Sequence, residues 1–438
     1  MKKIYLLLLV LLSIPANSQE ALTFADCLER ALKNNLDIKS AEMSERVSVI
    51  QHRASYGGVL PNIYGEVENR NSWGKELDPD TNTFKNDNLR NYEGTLNAAF
   101  NLFSGFSVYH SVRAAKQEKD ISRAALEQTR NLITIDLAQR YISILYLQEI
   151  IEANQEQIKS SEKQLELAEL KFNSGAIAES EVFKIRAQKA AEELNLLTSQ
   201  NQLAENMISL KQLMNMPLDQ DVLLIQPSLE LNENITESED AISITSRAVE
   251  RHPAFRMSLL EEKRARTELA LKRAAFYPTL SMRLMMRSNY NPEVEEQVGF
   301  KTQLDENTSR QIRFYLVVPI FNGFSAYSEA RASKALWKQA KITREIERNR
   351  LSKEVLLAIN NTKTSMKKNQ ASIVAFDFSQ KSFEADALKF EMGKINISEL
   401  SITKLNYNNT QAELIQSKYE LLFNNALIKF YLGEDFVL

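Results

Sequence analysis

The chain has 438 residues, with 54 Lys and Arg against 57 Asp and Glu, and a formal net charge of −3. This slightly acidic balance lacks the basic surface that nucleic-acid binding requires, so we expect no nucleic-acid partner. Gly (11) and Pro (9) are scarce against average usage of roughly 7 % and 5 %, so the chain is expected to form long uninterrupted elements.

The first residues have the features of a secretory signal peptide. Lys2 and Lys3 precede an apolar run over residues 4–12, and small residues precede a predicted cleavage site before Gln19. The run is too short to cross a bilayer as a helix, and no later run reaches the roughly 18 apolar residues that a spanning helix needs. We therefore predict a signal peptide over residues 1–18 and an exported protein that could enter a membrane only as a β-barrel.

A helix is predicted from Thr23 to about Tyr56, because apolar residues recur at helical spacing. Thr23 is expected to cap its N-terminus, with Asp26 reaching back to complete a capping box. The lone cysteine, Cys27, then packs in the core and forms no disulfide within the chain. A second helix with the same pattern is predicted over residues 242–276.

Alternating apolar and polar residues after Pro61 and Pro278 predict strands of about ten residues. The clearest segments are residues 92–102, 280–287 and 311–318. One apolar and one polar face suit strands that lie between lipid and a water-filled lumen, although an antiparallel sheet on a soluble core has the same pattern. The polar segments 74–88 and 291–309 are expected to be solvated surface loops.

Two segments, residues 104–172 and 322–390, contain nothing that interrupts a helix. Each would be roughly 100 Å long at about 1.5 Å per residue. Seams of apolar residues along them predict helices packed lengthwise as coiled coils. Gly175 and Gly393 are expected to end these helices as left-handed caps. The returning helices are predicted to run to about Met216 and Leu432.

The two turns have the same predicted arrangement. After each glycine, a serine (Ser180 or Ser398) is expected to cap the returning helix, and an acid (Glu181 or Glu399) to lie at its positive end. Helix electrostatics alone, worth about 0.3–1 kcal/mol, explains this placement of the acids. Repeated copies of one acid in an assembly could also form a ring at a pore constriction that selects cations. The two explanations are compatible.

The chain is predicted to be one segment written twice. The sequences FSGF at residues 103–106 and FNGF at residues 321–324 are offset by 218 residues (321 − 103), and so are Gly175 and Gly393 (393 − 175). A fixed offset of this kind indicates an internal repeat, here of a helix, two strands and a long helical hairpin. The predicted domains are repeat 1 over residues 19–217, a linker over 218–240 and repeat 2 over 241–438.

The sequence contains no motif for catalysis, metal binding or cofactor binding. The three His residues have no metal-ligand spacing with one another or with the cysteine. There is no phosphate-binding glycine loop and no nucleophile motif. We therefore expect no enzyme activity, no cofactor and no metal site.

With these features, the chain resembles the TolC-like outer membrane efflux family. The residues that carry the resemblance are LTFAD at 22–26 with ALKNNL at 31–36, the strand-leading Pro61 and Pro278, PIFNG at 319–323 and the two glycine turns. Each motif is weak alone, but the ordered set, present twice at one offset, is specific.

The resemblance implies a mainly α-helical fold with a transmembrane β-barrel in an outer membrane. Three copies would each give four strands to a shared twelve-stranded barrel and a third of a hollow helical shaft in the periplasm, with no cofactor. The passive conduit would work with a periplasmic adaptor and an inner-membrane pump, in export of drugs, metals or proteins, including type I secretion. The adaptor would contact the tips of the shaft at Gly175, Ala176, Ile177, Ser180, Gly393, Lys394 and Ser398.

The same resemblance implies a set of gate residues at a pore constriction. Glu399 matches an acid that forms a ring at the narrow tip, and Glu181 matches the acid of the other turn. Where gated relatives have a second acid, a locking arginine and its tyrosine partner, this chain has Ile402, Ile395 and Phe390. We hypothesise that apolar packing of these three residues replaces the polar lock.

Two other protein classes share part of this pattern. A periplasmic adaptor would have one helical hairpin and a β-rich lipoyl-like domain, whereas this chain has two predicted hairpins. A secreted coiled-coil scaffold would explain the helices, but it would not explain four alternating strands in duplicated positions. The resemblance therefore favours the outer-membrane conduit.

Overall fold

The computed structural model describes residues 20–77, 82–227, 240–292 and 298–438, so the predicted signal peptide lies outside the described residues. The described residues are mainly helical and form six strands, nine α-helices and two short 3₁₀ helices. In chain order the strands and α-helices are β1 (Glu20–Leu22), α1 (Phe24–Asn34), α2 (Leu36–Ser55), β2 (Asn62–Leu77), β3 (Phe84–Ser104), α3 (Ser107–Asn173), α4 (Glu179–Leu213), β4 (Val222–Leu224), α5 (Ala241–Arg251), α6 (Pro253–Arg273), β5 (Thr279–Tyr290), α7 (Phe300–Glu306), β6 (Ser309–Val317), α8 (Ser325–Glu391) and α9 (Ile397–Tyr431).

The chain divides into two compact units. The helical unit comprises the described residues up to 42, those within 125–256 and residues 347–438, and the strand unit comprises the described residues within 43–124 and 257–346. None of the helices in the described segments combines the length and the hydropathy that a bilayer-spanning helix requires.

The main core of the helical unit includes Tyr141, whose side chain is fully buried. Its hydroxyl donates a hydrogen bond to the Ile225 carbonyl oxygen at 2.5 Å, and the Phe24 ring packs edge-on against its ring with 5.5 Å between centroids. Burial raises the pKa of Tyr141, so the hydroxyl stays protonated and acts as a donor. Because β4 pairs in parallel with β1 beside this contact, part of the predicted linker belongs to the core.

The predicted capping box at the start of α1 is confirmed. Thr23 Oγ1 accepts a hydrogen bond from the Asp26 amide at 3.2 Å, and Asp26 Oδ2 accepts one from the Thr23 amide at 2.9 Å. Cys27 is fully buried in the same core as Leu22. The cap fixes the residue at which α1 begins, so that its apolar face meets the core.

The predicted helix from Thr23 to Tyr56 is wrong in one respect, because it is broken at Asn35. This residue has ψ of 134°, outside the helical region. Its side-chain oxygen accepts hydrogen bonds from the amides of Asp37 and Ile38 at 2.9 and 3.2 Å. The side chain therefore caps the start of α2 and replaces the backbone bonds that an unbroken helix would make.

The second predicted helix, over residues 242–276, is broken at His252 in a similar way. His252 has ψ of 128°, and its Nδ1 accepts a hydrogen bond from the Ala254 amide at 3.3 Å. Pro253 begins α6, where the missing N–H of proline costs nothing because first-turn amides have no partner within the helix. The two breaks lie 217 residues apart (252 − 35).

The strand unit contains one antiparallel sheet in the order β2-β3-β5-β6. The predicted strands lie within it, but the two predicted loops are wrong. β2 and β3 continue through most of residues 74–88. Residues 291–309 contain α7, which is fastened by the buried Gln303: its side chain donates to the Asn291 carbonyl at 3.1 Å and accepts from the Asn291 amide at 2.9 Å.

The register gives the sheet one apolar and one polar face, since directly paired residues point to the same side. Two neighbouring rows of paired residues on one face are Ile63, Ala98, Leu284 and Ile312, and Phe100, Met282 and Phe314. Rows on the opposite face include Glu66, Thr95 and Arg287, and Ala99, Arg283 and Arg313. The apolar face is open in the described structure: Ile63, Ile312 and Phe314 are 62, 66 and 64 % exposed.

The long helices have nearly the predicted lengths. α3 and α8 contain 67 residues each, and α4 and α9 contain 35 each. α3 and α8 begin three residues later than predicted (107 − 104 and 325 − 322), because Gly105, Phe106, Gly323 and Phe324 all have positive φ. A Cβ on Gly105 would lie 2.5 Å from the Ala274 carbonyl oxygen, so space as well as conformation requires glycine there.

Replacing Asn35 by Ala is expected to lower the free energy of unfolding of the helical unit by about 1–2 kcal/mol. The change removes the cap of α2, and it also removes the hydrogen bond from Asn35 Nδ2 to the Leu213 carbonyl at 3.0 Å. Urea unfolding followed by circular dichroism measures this loss. Asn34→Ala, at the preceding residue in the last turn of α1, is the matched control and should change stability by a few tenths of that amount. Equal effects of the two variants would contradict the capping role.

Candidate functional site

The two turns of the helical unit close with the same hydrogen bonds. In the first, Gly175 has φ of +78°, its amide donates to the Phe172 carbonyl at 2.8 Å, and the Ala176 amide donates to the Lys171 carbonyl at 2.8 Å. This pair of bonds is the Schellman motif, which satisfies the last carbonyls of a helix. The predicted left-handed cap is therefore confirmed at Gly175.

The second turn repeats this arrangement at Gly393. Gly393 has φ of +70°, its amide donates to the Phe390 carbonyl at 3.0 Å, and the Lys394 amide donates to the Lys389 carbonyl at 2.8 Å. A Cβ on either glycine would have open space around it. The glycines are required by the left-handed conformation alone.

The prediction that Ser180 and Ser398 cap the returning helices is wrong. α4 has Ala178 at its N-cap, which offers no side-chain bond. α9 has Asn396 at its N-cap, and the side-chain oxygen of Asn396 accepts from the Glu399 amide at 3.0 Å. Each serine is the second residue of its helix, because each helix begins two residues earlier than a serine cap would place it.

An apolar cluster, named the tip cluster, joins the ends of α3 and α8 to the starts of α4 and α9. Its buried members are Ala168, Val182, Ile185, Phe390, Ile397 and Leu400, and Ile177 and Ile395 are among the partly buried residues packed against them. The structure thus brings together two of the three residues of the hypothesised apolar lock, Phe390 and Ile395. Ile402 does not join them, since its side chain is 68 % exposed in the single chain.

Two lysines of the first hairpin (α3 and α4) bind the second turn. Lys171 Nζ donates to the Phe390 carbonyl at 2.6 Å and lies 4.4 Å from the centroid of the Phe390 ring. Lys184 Nζ donates to Ser398 Oγ at 3.0 Å and to Glu181 Oε1 at 2.9 Å. Sequence reasoning missed both lysines. Only their positions in the sequence could have indicated these contacts: Lys171 lies four residues before Gly175, and Lys184 lies three residues after Glu181.

The two predicted constriction acids have different surroundings. Glu181 is only 24 % exposed and pairs with the Lys184 ammonium, so its negative charge is largely neutralised. Glu399 is exposed, and its Oε1 accepts from the neutral side-chain amide of Asn396 at 2.7 Å. Both acids line a cavity of about 530 Å³ in this part of the helical unit. Of the two, Glu399 is the more exposed, and its part in a ring of charges stays a prediction.

The remaining predicted tip residues are placed as follows. Ala176 and Lys394 are exposed at the two turns, and Ile177 is half-buried against the tip cluster. Among the residues that the structure describes, no group of three or more His, Cys, Asp or Glu side chains is arranged to hold a metal ion. The turns therefore offer a surface of small, apolar and charged side chains at the ends of the hairpins.

Residues 27–216 and 244–434 match the model of one protein family, described as outer membrane efflux protein. These two segments make up most of the chain. The chain belongs to the outer membrane efflux protein family. Its members are passive channels and not enzymes, so the predicted resemblance and the predicted absence of catalysis are both confirmed by the family.

Individual proteins agree with the family assignment. The proteases secretion protein PrtF of Dickeya chrysanthemi is 21 % identical over 427 residues, which cover 96 % of this chain and 90 % of PrtF. The CmeC outer membrane channel of Campylobacter jejuni aligns with a TM-score of 0.82 at 17 % identity, over 94 % of this chain and 85 % of CmeC. The outer membrane protein VceC of Vibrio cholerae aligns with a TM-score of 0.79 at 16 % identity, over 94 % of this chain and 97 % of VceC. At these identities the solved structures show a shared, mainly helical fold.

Replacing Gly393 by Ala is expected to weaken the second turn by about 1–2 kcal/mol, because a residue with a Cβ disfavours the left-handed conformation. Amide hydrogen exchange at Lys394, whose N–H closes the turn, measures this loss as faster exchange. Gly57→Ala is the matched control, since a Cβ there also meets open space while the backbone is not left-handed. Unchanged exchange at Lys394 would show that the turn does not need its glycine.

Proposed function

We propose that the protein is an outer-membrane channel-tunnel that conducts substrates passively from the periplasm to the outside, in a tripartite efflux or type I secretion system. The observation that carries the proposal is the open sheet of the strand unit, with one apolar face and one polar face. A soluble sheet buries its apolar face on a core. Here that face is open, which suits contact with lipid chains, while the polar face suits a water-filled lumen.

The edges of the sheet support closure by further copies. β2 and β6 are the outer strands of the four-stranded sheet, and an outer strand presents backbone groups that need partners inside a membrane. Pairing β6 of one copy with β2 of the next would remove all edges when the ring closes. Three copies would give the twelve-stranded barrel that the resemblance implies, so we propose a homotrimer in contact with outer-membrane lipid.

We also propose that the chain is an internal repeat, with repeat 1 over 19–217, a linker over 218–240 and repeat 2 over 241–438, after a signal peptide at 1–18. Equal helix lengths, two turns closed by the same pair of backbone hydrogen bonds and two helix breaks that are each capped by a side chain support this division. The family model also matches twice, starting at residues 27 and 244. The strand β4, within the proposed linker, would fasten the two repeats to each other through β1.

The long hairpins support a shaft in the periplasm and a docking tip. Their exposed residues are charged and polar side chains mixed with apolar ones such as Leu194 and Phe378, which suits helices that pack against further copies in water. The two turns are held together by the tip cluster and by the two lysines. We propose that these turns contact the periplasmic adaptor, at Gly175, Ala176, Ile177, Ser180, Gly393, Lys394 and Ser398, and that an inner-membrane pump supplies the substrate. Similarity to a secretion protein and to efflux channels supports either kind of export system.

The alternatives explain fewer of these features. A periplasmic adaptor would need a lipoyl-like domain, whereas the β-structure described is a sheet with an open apolar face and a short two-stranded pair. A secreted coiled-coil scaffold would leave that apolar face in water, at a high cost in free energy. Extraction of the protein separates them: the channel requires detergent, and the scaffold does not.

Single-channel recording in planar bilayers, with the wild type and Glu399→Gln, tests the channel and its constriction. We expect a small cation-selective conductance in the wild type and a loss of selectivity in the variant, because the variant removes the ring of charges at the tip. Glu413→Gln, fourteen residues further along α9 (413 − 399), is the control and should retain selectivity. If Glu399→Gln also retains selectivity, Glu399 does not form the ring. Soluble monomers without conductance would contradict the channel itself.

Replacing Ile395 by Glu is expected to raise the passive leak through the tip several-fold. A carboxylate is unfavourable among the apolar side chains of the tip cluster, so the closed packing would loosen. Conductance of the purified variant measures the leak, and Ile395→Val, which keeps an apolar side chain of nearly the same size, is the control. A leak equal to that of the wild type in Ile395→Glu would refute apolar closure at this residue.

A further inference from the structure

One lysine of the helical unit is buried, although lysines normally keep their ammonium group in water. Lys404 on α9 is 1 % exposed. Its Nζ lies 3.0 Å from Glu192 Oε1 on α4, and it donates to Ser161 Oγ on α3 at 2.5 Å and to the Gln157 carbonyl at 3.2 Å. Ser161 Oγ in turn donates to Glu192 Oε2 at 2.6 Å. Lys404, Glu192 and Ser161 are named the buried triad.

The buried triad is satisfied by partners from three helices. Glu192 also accepts from Gln188 Nε2 at 3.1 Å. Burial lowers the pKa of Lys404, and the Glu192 carboxylate opposes that effect. Apolar side chains of similar size would hold three helices together at least as well as a buried ion pair does. The ion pair instead specifies the position of α9, because the Lys404 ammonium has hydrogen-bond partners only where these oxygens lie.

The surroundings of the buried triad make this position important. Towards the turns, Ile397 and Leu400 of α9 belong to the tip cluster. On the other side, α3, α4 and α9 line a cavity of about 500 Å³, with amide side chains such as Asn154, Asn195 and Asn408. The cavity interrupts the packing of α9 on the first hairpin. Next to the tip cluster, the buried triad is a fully buried polar contact that joins α9 to both helices of the first hairpin.

We propose that the arrangement in the structure is the closed state of the tip, that the buried triad is the joint that holds the second hairpin (α8 and α9) on the first hairpin in that state, and that Lys404 is its positioning residue. The inference rests on the proposed channel function and names how the tip of that channel is regulated. Sliding α9 would separate Lys404 from Glu192 inside the protein and leave two buried charges unpaired. The closed arrangement thus remains the dominant state until a partner stabilises another one.

A second lysine on the same helix provides a matched control. Lys418 of α9 forms an ion pair with Glu149 of α3 at 2.8 Å, but the two side chains are 27 and 29 % exposed. Separating that pair returns both groups to water, which costs little. The two lysines therefore join α9 to the first hairpin with similar geometry and different burial.

The experiment records single-channel conductance of the full-length wild type, Lys404→Met and Lys418→Met in planar bilayers. We expect a several-fold higher conductance for Lys404→Met, because Glu192 then lacks its partner in the closed state, and wild-type conductance for Lys418→Met. Channels of Lys404→Met with wild-type conductance would overturn the inference and leave the channel function intact. Absence of channels in the wild type would instead contradict the proposed function on which the inference rests.

A double variant separates position from stability. In Lys404→Met with Glu192→Leu no buried charge is left unpaired, so the thermal midpoint of the assembly should recover towards that of the wild type. Its conductance should stay high, because the buried polar contact that specifies the position of α9 is absent. Recovery of both properties would show a purely structural role and overturn the inference. If Lys404→Met does not assemble, the Glu192→Gln variant tests the inference, since glutamine keeps the shape of the side chain and one acceptor oxygen. A raised conductance of this variant supports the joint, and an unchanged conductance overturns it.

Discussion

Every contact at the tip of the helical unit depends on two helices of equal length that end side by side. Lys171 reaches the carbonyl of Phe390 only because α3 and α8 both stop at the same level. One residue more or less in either helix would rotate its end by about 100° and shift it by about 1.5 Å. The tip cluster and both lysine contacts would then lose their partners. The contacts at the tip thus require α3 and α8 to keep their equal lengths.

The turns were the most predictable part of this site, and their reason is local. A left-handed residue at a helix end is nearly always glycine, so the spacing of Gly175 and Gly393 was sufficient. The helix break at Asn35 was not predictable, because Asn35 donates to a carbonyl 178 positions away in sequence. The serine caps failed for a similar reason: Asn396, two residues earlier, was the better cap. The burial of Lys404 was not predictable, since a lysine on a charged helix is expected to face water.

The apolar contacts along the hairpins form two separate clusters, the main core and the tip cluster. The tip cluster is small and is separated from the main core around Tyr141 by a cavity with polar and apolar lining. Small groups of apolar contacts that are set apart in this way open locally more easily than a continuous core does. The main core and the strand pair β1–β4 anchor the hairpins. In the proposed channel, this division would allow the tip to rearrange while the main core stays packed.

The open sheet affects the order in which the parts of the protein should fold. Before assembly, its apolar face and both edge strands are available to any neighbouring chain, and such surfaces promote aggregation. The helical unit has its own buried core and capped helices and can fold without that sheet. If the proposed function holds, an exported chain benefits when its helices fold first and its strands pair only at the membrane. Chaperones that shield strands during this delay would act on the strand unit, whose edges and apolar face await partners.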